Sequence, residues 1–290
     1  MRLIRYTTDE TPRVGVAVGE AIHPVEGTIA ELLRLTAADM TARLQEAVRA
    51  TDTVAMSDVR LLAPVDGWTE VWAAGVTYKR SREARMAESD LSADVYERVY
   101  DAERPELFFK APAWRVQGPG EAIGVRTDTV ITVPEPELAL VVNAWGDVVG
   151  YTICNDVSSR DIEGENPLYL PQAKVYNGSC ALGPAIVTAD EIPDPKALPL
   201  VARIVRGGSV AWQGEASTAD LVRELADLVD FLRRELHLPY GAVLSTGTCL
   251  VPDLPFTLTE GDEVRISVAP IGELVNPVAR ASAIHPKEPR

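Results

Sequence analysis

Two glutamates separated by a proline, Glu135 and Glu137 in the run Val133-Pro134-Glu135-Pro136-Glu137-Leu138, have types and spacing that suggest chemistry. In an extended chain residues i and i+2 point to the same face, so the two carboxylates converge. Two anions placed this way repel unless a cation sits between them. Pro134 and Pro136 cannot donate to a sheet ladder, which predicts a sheet edge or bulge for this segment. The run reads either as an acidic, proline-rich surface turn or as part of a cation site.

A third acid and a lysine follow. Gly150 to Asp156 reads as a strand that enters the polar turn Asn155-Asp156-Val157-Ser158-Ser159-Arg160-Asp161. Strands that end in such turns present side chains at the mouth of a site. Three carboxylates with waters make an all-oxygen shell, which suits Mg²⁺ or Mn²⁺ and does not suit zinc. Lys174, in Gln172-Ala173-Lys174-Val175-Tyr176, is the only cationic side chain between Arg160 and Lys196. Beside a metal a lysine loses its proton more readily and can serve as a base, or it can hold an anionic substrate. Away from a metal it is a plain surface lysine.

The elements that must position these groups are mostly short strands. Residues 1–60 read as a small α/β unit: Arg13 to Ile22 alternates like a strand, and Thr28 to Ala50 carries apolar residues at helical spacing, broken at Thr36 to Asp39. Residues 61–290 change character, with β-branched runs at 130–133, 138–142, 148–154, 185–188, 201–205 and 264–268 closed off by Gly, Pro, Asp or Asn. The expected class is α+β and rich in β, a small amino-terminal unit followed by a larger catalytic domain. Ser217-Thr218-Ala219-Asp220 offers a capping box for a helix whose face is Leu221, Leu225, Leu228, Leu232 and Leu236. Arg80 to Ala102 reads as a charged helix, either a solvated surface element or a polar lid.

The 290 residues carry 43 acidic and 28 basic side chains, a net charge of −15. Nucleic acid and anionic lipid both need a basic footprint, so neither is expected as a partner. The charged amino terminus lacks the apolar run of an export signal, and no uncharged stretch is long and apolar enough to span a bilayer. Cys154, Cys180 and Cys249 are widely spaced and odd in number, which predicts buried reduced thiols in a cytoplasmic protein. No glycine-rich nucleotide-binding motif is present.

Taken in order, Glu135-Pro136-Glu137, Gly150 to Asp161, Lys174, Leu182-Gly183-Pro184, Ser245-Thr246-Gly247-Thr248 and Gly261-Asp262-Glu263-Val264 resemble the fumarylacetoacetate hydrolase superfamily over residues 62–280. The resemblance implies a twisted β-roll for the catalytic domain and a homodimer or larger homo-oligomer. It also implies Mg²⁺ (or Mn²⁺) on Glu135, Glu137 and Asp156, and a substrate hydrogen bond from Thr248. The superfamily holds several reaction types, so the fold alone does not choose among them. Its carbon–carbon hydrolases activate water with a His-Glu pair in the lid region. Here the histidines are His23, His237 and His285, none of them between Gly75 and Lys110.

The segments Ala73 to Arg85 and Val99 to Lys110, the latter ending Arg104-Pro105-Glu106-Leu107-Phe108-Phe109-Lys110, look like the branch that dehydrates 2-keto-3-deoxy-arabinonate. In that branch the glutamate of this run is a proposed acid/base, a position held here by Glu106. The expected reaction is therefore loss of water from a small anionic keto acid bound at the metal, yielding 2,5-dioxopentanoate. Lys174 removes the proton beside the ketone and Glu106 protonates the departing hydroxyl, two roles that are exchangeable. Arg160 either touches the substrate or pairs with a nearby acid, and Arg80, Arg82 and Arg85 either attract the anion or are solvated. The competing readings are a hydrolase or decarboxylase of a β-dicarbonyl acid (acylpyruvate or oxaloacetate class) and a non-enzymatic, acidic metal-binding scaffold. The scaffold reading leaves the lysine and the lid motifs without a task.

Overall fold

The computed structural model describes residues 1–78 and 98–285. Most of the expected charged helix, and the arginines at 80, 82 and 85, lie outside the described residues. The largest sheet runs in the spatial order Val54–Ala55, Ala21–Val25, Arg13–Val18, Arg2–Thr7, Cys180–Thr188, Val148–Asp156, Pro136–Val142, Ala242–Ser245, Glu70–Gly75 and Glu106–Pro112. Arg60–Leu62 pairs with Arg2–Thr7 off this path. Neighbours are antiparallel except Ala242–Ser245 beside Glu70–Gly75. A five-stranded sheet, Ser209–Ser217, Pro199–Arg206, Glu263–Val268, Gly272–Arg280 and Ile123–Val125, forms a second layer.

The middle of the large sheet is buried on both faces, and alternation along its strands separates two cores. Leu138, Leu140 and Val142 pack with Leu200, Ile204, Val264 and Ile266 from the second sheet. Ala139 and Val141 pack on the opposite face with Leu33, Met40 and Leu44 from the amino-terminal helices. A strand covered on both faces reads as a continuous apolar run, which is why Leu138-Ala139-Leu140-Val141-Val142 shows no polar alternation. Polar function is thereby confined to the strand ends.

The amino-terminal residues extend this sheet, with Leu3 opposite Ile186. Helix Ile29–Leu32 starts at Thr28, which forms a capping box with Glu31, and helix Ala37–Arg49 starts at Thr36, whose side chain accepts from Asp39 N. The break expected at Thr36 to Asp39 is thus a helix start. None of the three cysteines is in a disulfide, and all three are buried. Among the described residues no helix is long and apolar enough to cross a membrane.

Two local expectations need correction. The strand Pro136–Val142 lies inside the sheet, between Val148–Asp156 and Ala242–Ser245. Its prolines are tolerated because Pro136 is the first strand residue and the ladder to Ala242–Ser245 begins only at Ala139. The site therefore opens at the end of the sheet and not at its edge. The leucine-rich helix spans only Leu225–Arg233. Ser217 instead accepts from Ala219 N in a single 3₁₀ turn, and Leu221 bridges to Tyr78 while Val222 N donates to Thr77 O at 3.1 Å. Those contacts hold 221–222 extended and delay the helix.

Candidate active site

Glu135, Glu137 and Asp156 project from adjacent strand ends. Glu137 stands opposite Cys154, and Asp156 N donates to Glu135 O at 3.0 Å, which sets Glu135 across from Asp156. One oxygen from each of the three buried carboxylates lies within 4.8 Å of the others. The i, i+2 geometry inferred from the sequence is realised at this point.

The turn after Ala242–Ser245 braces the cluster. Ser245 Oγ and Gly247 N donate to the same Glu137 oxygen, at 2.5 and 2.8 Å. Thr246 Oγ1 donates to Leu138 O at 2.8 Å and Thr248 Oγ1 to Pro136 O at 2.9 Å, so the turn grips the backbone that carries both glutamates. Gly247 has φ +93°, and a Cβ there would run into the Thr77 hydroxyl. Only glycine meets both conditions without strain.

Lys174 ends the short helix Leu170–Lys174. Its Nζ donates to Glu135 Oε2 at 2.8 Å, Asp156 Oδ2 at 3.2 Å and Ser158 Oγ at 2.5 Å. The Phe108 ring covers it with its centroid 5.6 Å away. Arg160 opens the helix Arg160–Glu165, its Nε 3.0 Å from Glu135 Oε1 and 3.8 Å from Glu163 Oε2. Glu163 Oε1 lies 3.8 Å from Lys174 Nζ, and Lys110 is ion-paired with Asp156.

The donor set fits a hard divalent cation. Among the described residues the cluster holds four buried carboxylates, Glu135, Glu137, Asp156 and Glu163, and three buried cations, Lys110, Lys174 and Arg160. Glu137 is held by neutral donors, and burial, then Asp156, Cys154 and Glu135, push its carboxyl well above the usual range. A buried anion of this kind is relieved by a cation, and all-oxygen ligands select Mg²⁺ or Mn²⁺.

Glu106 begins the strand Glu106–Pro112, and its carboxylate lies over Gly75, where a Cβ would collide with it. Glu106 and Glu163 line one cavity of about 280 Å³ together with Arg104, Pro105 and Leu170. The structure thus gathers Glu135, Glu137, Asp156, Lys174 and Arg160 into one cluster and sets Glu106 on a cavity whose lining includes Glu163, the neighbour of Arg160 and Lys174. Thr248 directs its hydroxyl to backbone, and Arg160 pairs with the two glutamates.

Sequence reasoning missed Lys110, Glu163, Ser245 and Gly247. Lys110 closes the quoted run that begins at Arg104, and Glu163 stands three residues after Arg160 on one helix, so both carried a local signal. The contacts of Ser245 and Gly247 with Glu137 span more than a hundred residues and have no local signature.

The family profile described as fumarylacetoacetate (FAA) hydrolase C-terminal matches residues 70–279, and one described as Rv2993c-like, N-terminal matches residues 1–64. The chain is 48% identical over 250 residues to a probable 2-keto-3-deoxyxylonate dehydratase of Haloferax volcanii, covering 86% of this chain and 85% of the relative. It is 45% identical over 232 residues to 2-dehydro-3-deoxy-D-arabinonate dehydratase of Saccharolobus solfataricus, covering 79% and 78%. A solved structure of 2-keto-3-deoxy-D-arabinonate dehydratase complexed with magnesium and 2,5-dioxopentanoate superposes with a TM-score of 0.83 at 37% identity, covering 97% of this chain and 99% of that one.

Proposed function

The chain belongs to the fumarylacetoacetate hydrolase family, and from that premise we propose that it is a Mg²⁺-dependent dehydratase. It converts 2-keto-3-deoxy-arabinonate to 2,5-dioxopentanoate and water. The observation that carries this reading is Lys174 Nζ seated on Glu135 and Asp156, two members of the carboxylate triad. The dehydratase relatives and the magnesium- and product-bound neighbour support it.

Glu135, Glu137 and Asp156 would hold the metal, which supplies Lewis acidity that makes the methylene beside a ketone easier to deprotonate. Lys174, as the neutral amine once Glu135 and Asp156 serve the metal instead of its ammonium, would receive at Nζ the proton that leaves this methylene. Glu106 gives a proton to the hydroxyl on the next carbon, which departs as water. The unsaturated alcohol left behind tautomerises to the aldehyde. Glu163 and Arg160 hold Lys174 and Glu135 in register, and the Ser245 to Thr248 turn fixes Glu137.

The absence of histidine between Gly75 and Lys110 supports elimination over the hydrolase reading. Residues 1–60 form a small unit appended to a catalytic domain at 61–290, and the enzyme works as a cytoplasmic homodimer or larger homo-oligomer. The buried cysteines, none of them in a disulfide, support a reducing compartment. The test is turnover of 2-keto-3-deoxy-arabinonate with Mg²⁺, followed by the semialdehyde formed. Turnover of an acylpyruvate or oxaloacetate in its place would reject the assignment.

A further inference from the structure

Lys110 is wholly buried, at 0% exposure. In the strand Glu106–Pro112 the pairing register steps over it, since Phe109 faces Trp72 and Ala111 faces Val71. A bulge of this kind re-aims one side chain. Its Nζ reaches the Asp156 carboxylate, Lys174 O at 2.5 Å and Val157 O at 3.2 Å. Two carbonyls and one carboxylate thus surround the three N–H bonds of its ammonium. Phe108 of the same strand covers the Lys174 ammonium. One strand therefore touches Lys174 at both its backbone and its side-chain end.

We infer that Lys110 is a positioning residue that ties the Asp156 carboxylate to the Lys174 backbone and so fixes the separation between a metal ligand and the proton-carrying amine. This rests on the functional reading above, in which Asp156 holds the metal and Lys174 carries the proton. A displacement of about 1 Å between reacting groups costs about 100-fold in rate, so the tie acts on kcat rather than on ground-state binding.

The experiment compares wild type, K110M and K110R by thermal melting, by Mn²⁺ affinity from the free-ion paramagnetic resonance signal, and by kcat and KM on 2-keto-3-deoxy-arabinonate at saturating Mn²⁺. For K110M the expected result is Mn²⁺ affinity no more than about threefold weaker than wild type, because loss of the cation beside Asp156 favours the ion, with KM within about threefold, kcat down about 100-fold, and K110R regaining about tenfold of that loss. Folded K110M with kcat within about threefold of wild type overturns the inference. So does a loss that vanishes once Mn²⁺ saturates, because Lys110 would then serve the metal alone. K110R no better than K110M also counts against it, since the guanidinium keeps both charge and donors. If K110M does not fold, K110Q, which retains donors for the carbonyls, is judged by the same criteria. An inactive wild type overturns the functional reading and this inference with it, whereas an active wild type beside an unimpaired K110M overturns the inference alone.

Discussion

Lys174 Nζ lies 2.8 Å from Glu135 Oε2, and both side chains are buried. Breaking such a pair from one side leaves a charge unmatched in a poorly polarisable interior, which costs about 3–5 kcal/mol. Lys174→Met is therefore expected to lower the melting temperature of the metal-free protein. Added Mg²⁺ should raise that temperature more in the variant than in wild type, because the excess negative charge favours the cation. Turnover should fall by about 10² to 10⁴, the range for a lost proton-transfer group. Paired melts with and without Mg²⁺ check this, and equal metal-induced shifts in both proteins would count against it.

Deuterium exchange separates the roles proposed for Lys174 and Glu106. With Lys174 as base, Lys174→Met is expected to abolish exchange of the methylene protons beside the ketone in D₂O. Glu106→Gln should retain that exchange yet fail to release water. Proton magnetic resonance of the substrate reads both outcomes, and the reverse pattern would swap the assignments.

Metal affinity should depend on pH through Glu137. Burial, followed by the neighbouring acids Asp156, Cys154 and Glu135, raises its carboxyl well above the ordinary range. In the metal-free protein it holds its proton where the unfolded chain has lost it. Its contribution to stability is therefore full at low pH and lost as pH rises through the raised value. Cation binding needs the ionised form, so affinity should climb with pH by up to about tenfold per unit, with about one proton released per ion. Titration calorimetry in buffers of different ionisation enthalpy counts that proton, and a pH-independent affinity would refute the role given to Glu137.

The legible parts of the site were those whose geometry is local. Glu135 and Glu137 declared themselves because alternation alone brings them together, and Asp156 because it ends a strand in a polar turn. Lys174 stood out only as the single cation between Arg160 and Lys196, and the choice between base and surface lysine depended on the resemblance. The prolines misled because they mark a strand end as well as an edge, and only the pairing of Ala139 onward shows which applies. Helix Leu225–Arg233 starts late because Thr77 and Tyr78, far away in sequence, hold 221–222 extended. The strands Glu70–Gly75 and Ala242–Ser245, which no clear run of β-branched residues marks, are fixed by the parallel pairing between them.

The turn that braces the glutamates yields a stability prediction. Thr248→Val removes the donor to Pro136 O and the acceptor of Leu250 N, and leaving buried groups unmatched costs about 1–3 kcal/mol. Gly247→Ala places a Cβ at φ +93° against Thr77, adding left-handed strain of about 1–2 kcal/mol to a steric clash. Both variants should unfold at lower denaturant, and Gly247→Ala should also weaken Mg²⁺ binding because Gly247 N holds Glu137. An alanine variant with unchanged metal affinity would show that the turn does not position the ligand.

The most direct test of the central claim is the rate of 2,5-dioxopentanoate formation from 2-keto-3-deoxy-arabinonate by purified wild-type protein, measured with Mg²⁺, after chelation and after Mg²⁺ is restored. The account predicts turnover with the metal, none after chelation and recovery when it returns. Undiminished turnover in the chelated protein, or no turnover of this sugar acid under any of the three conditions, would contradict it.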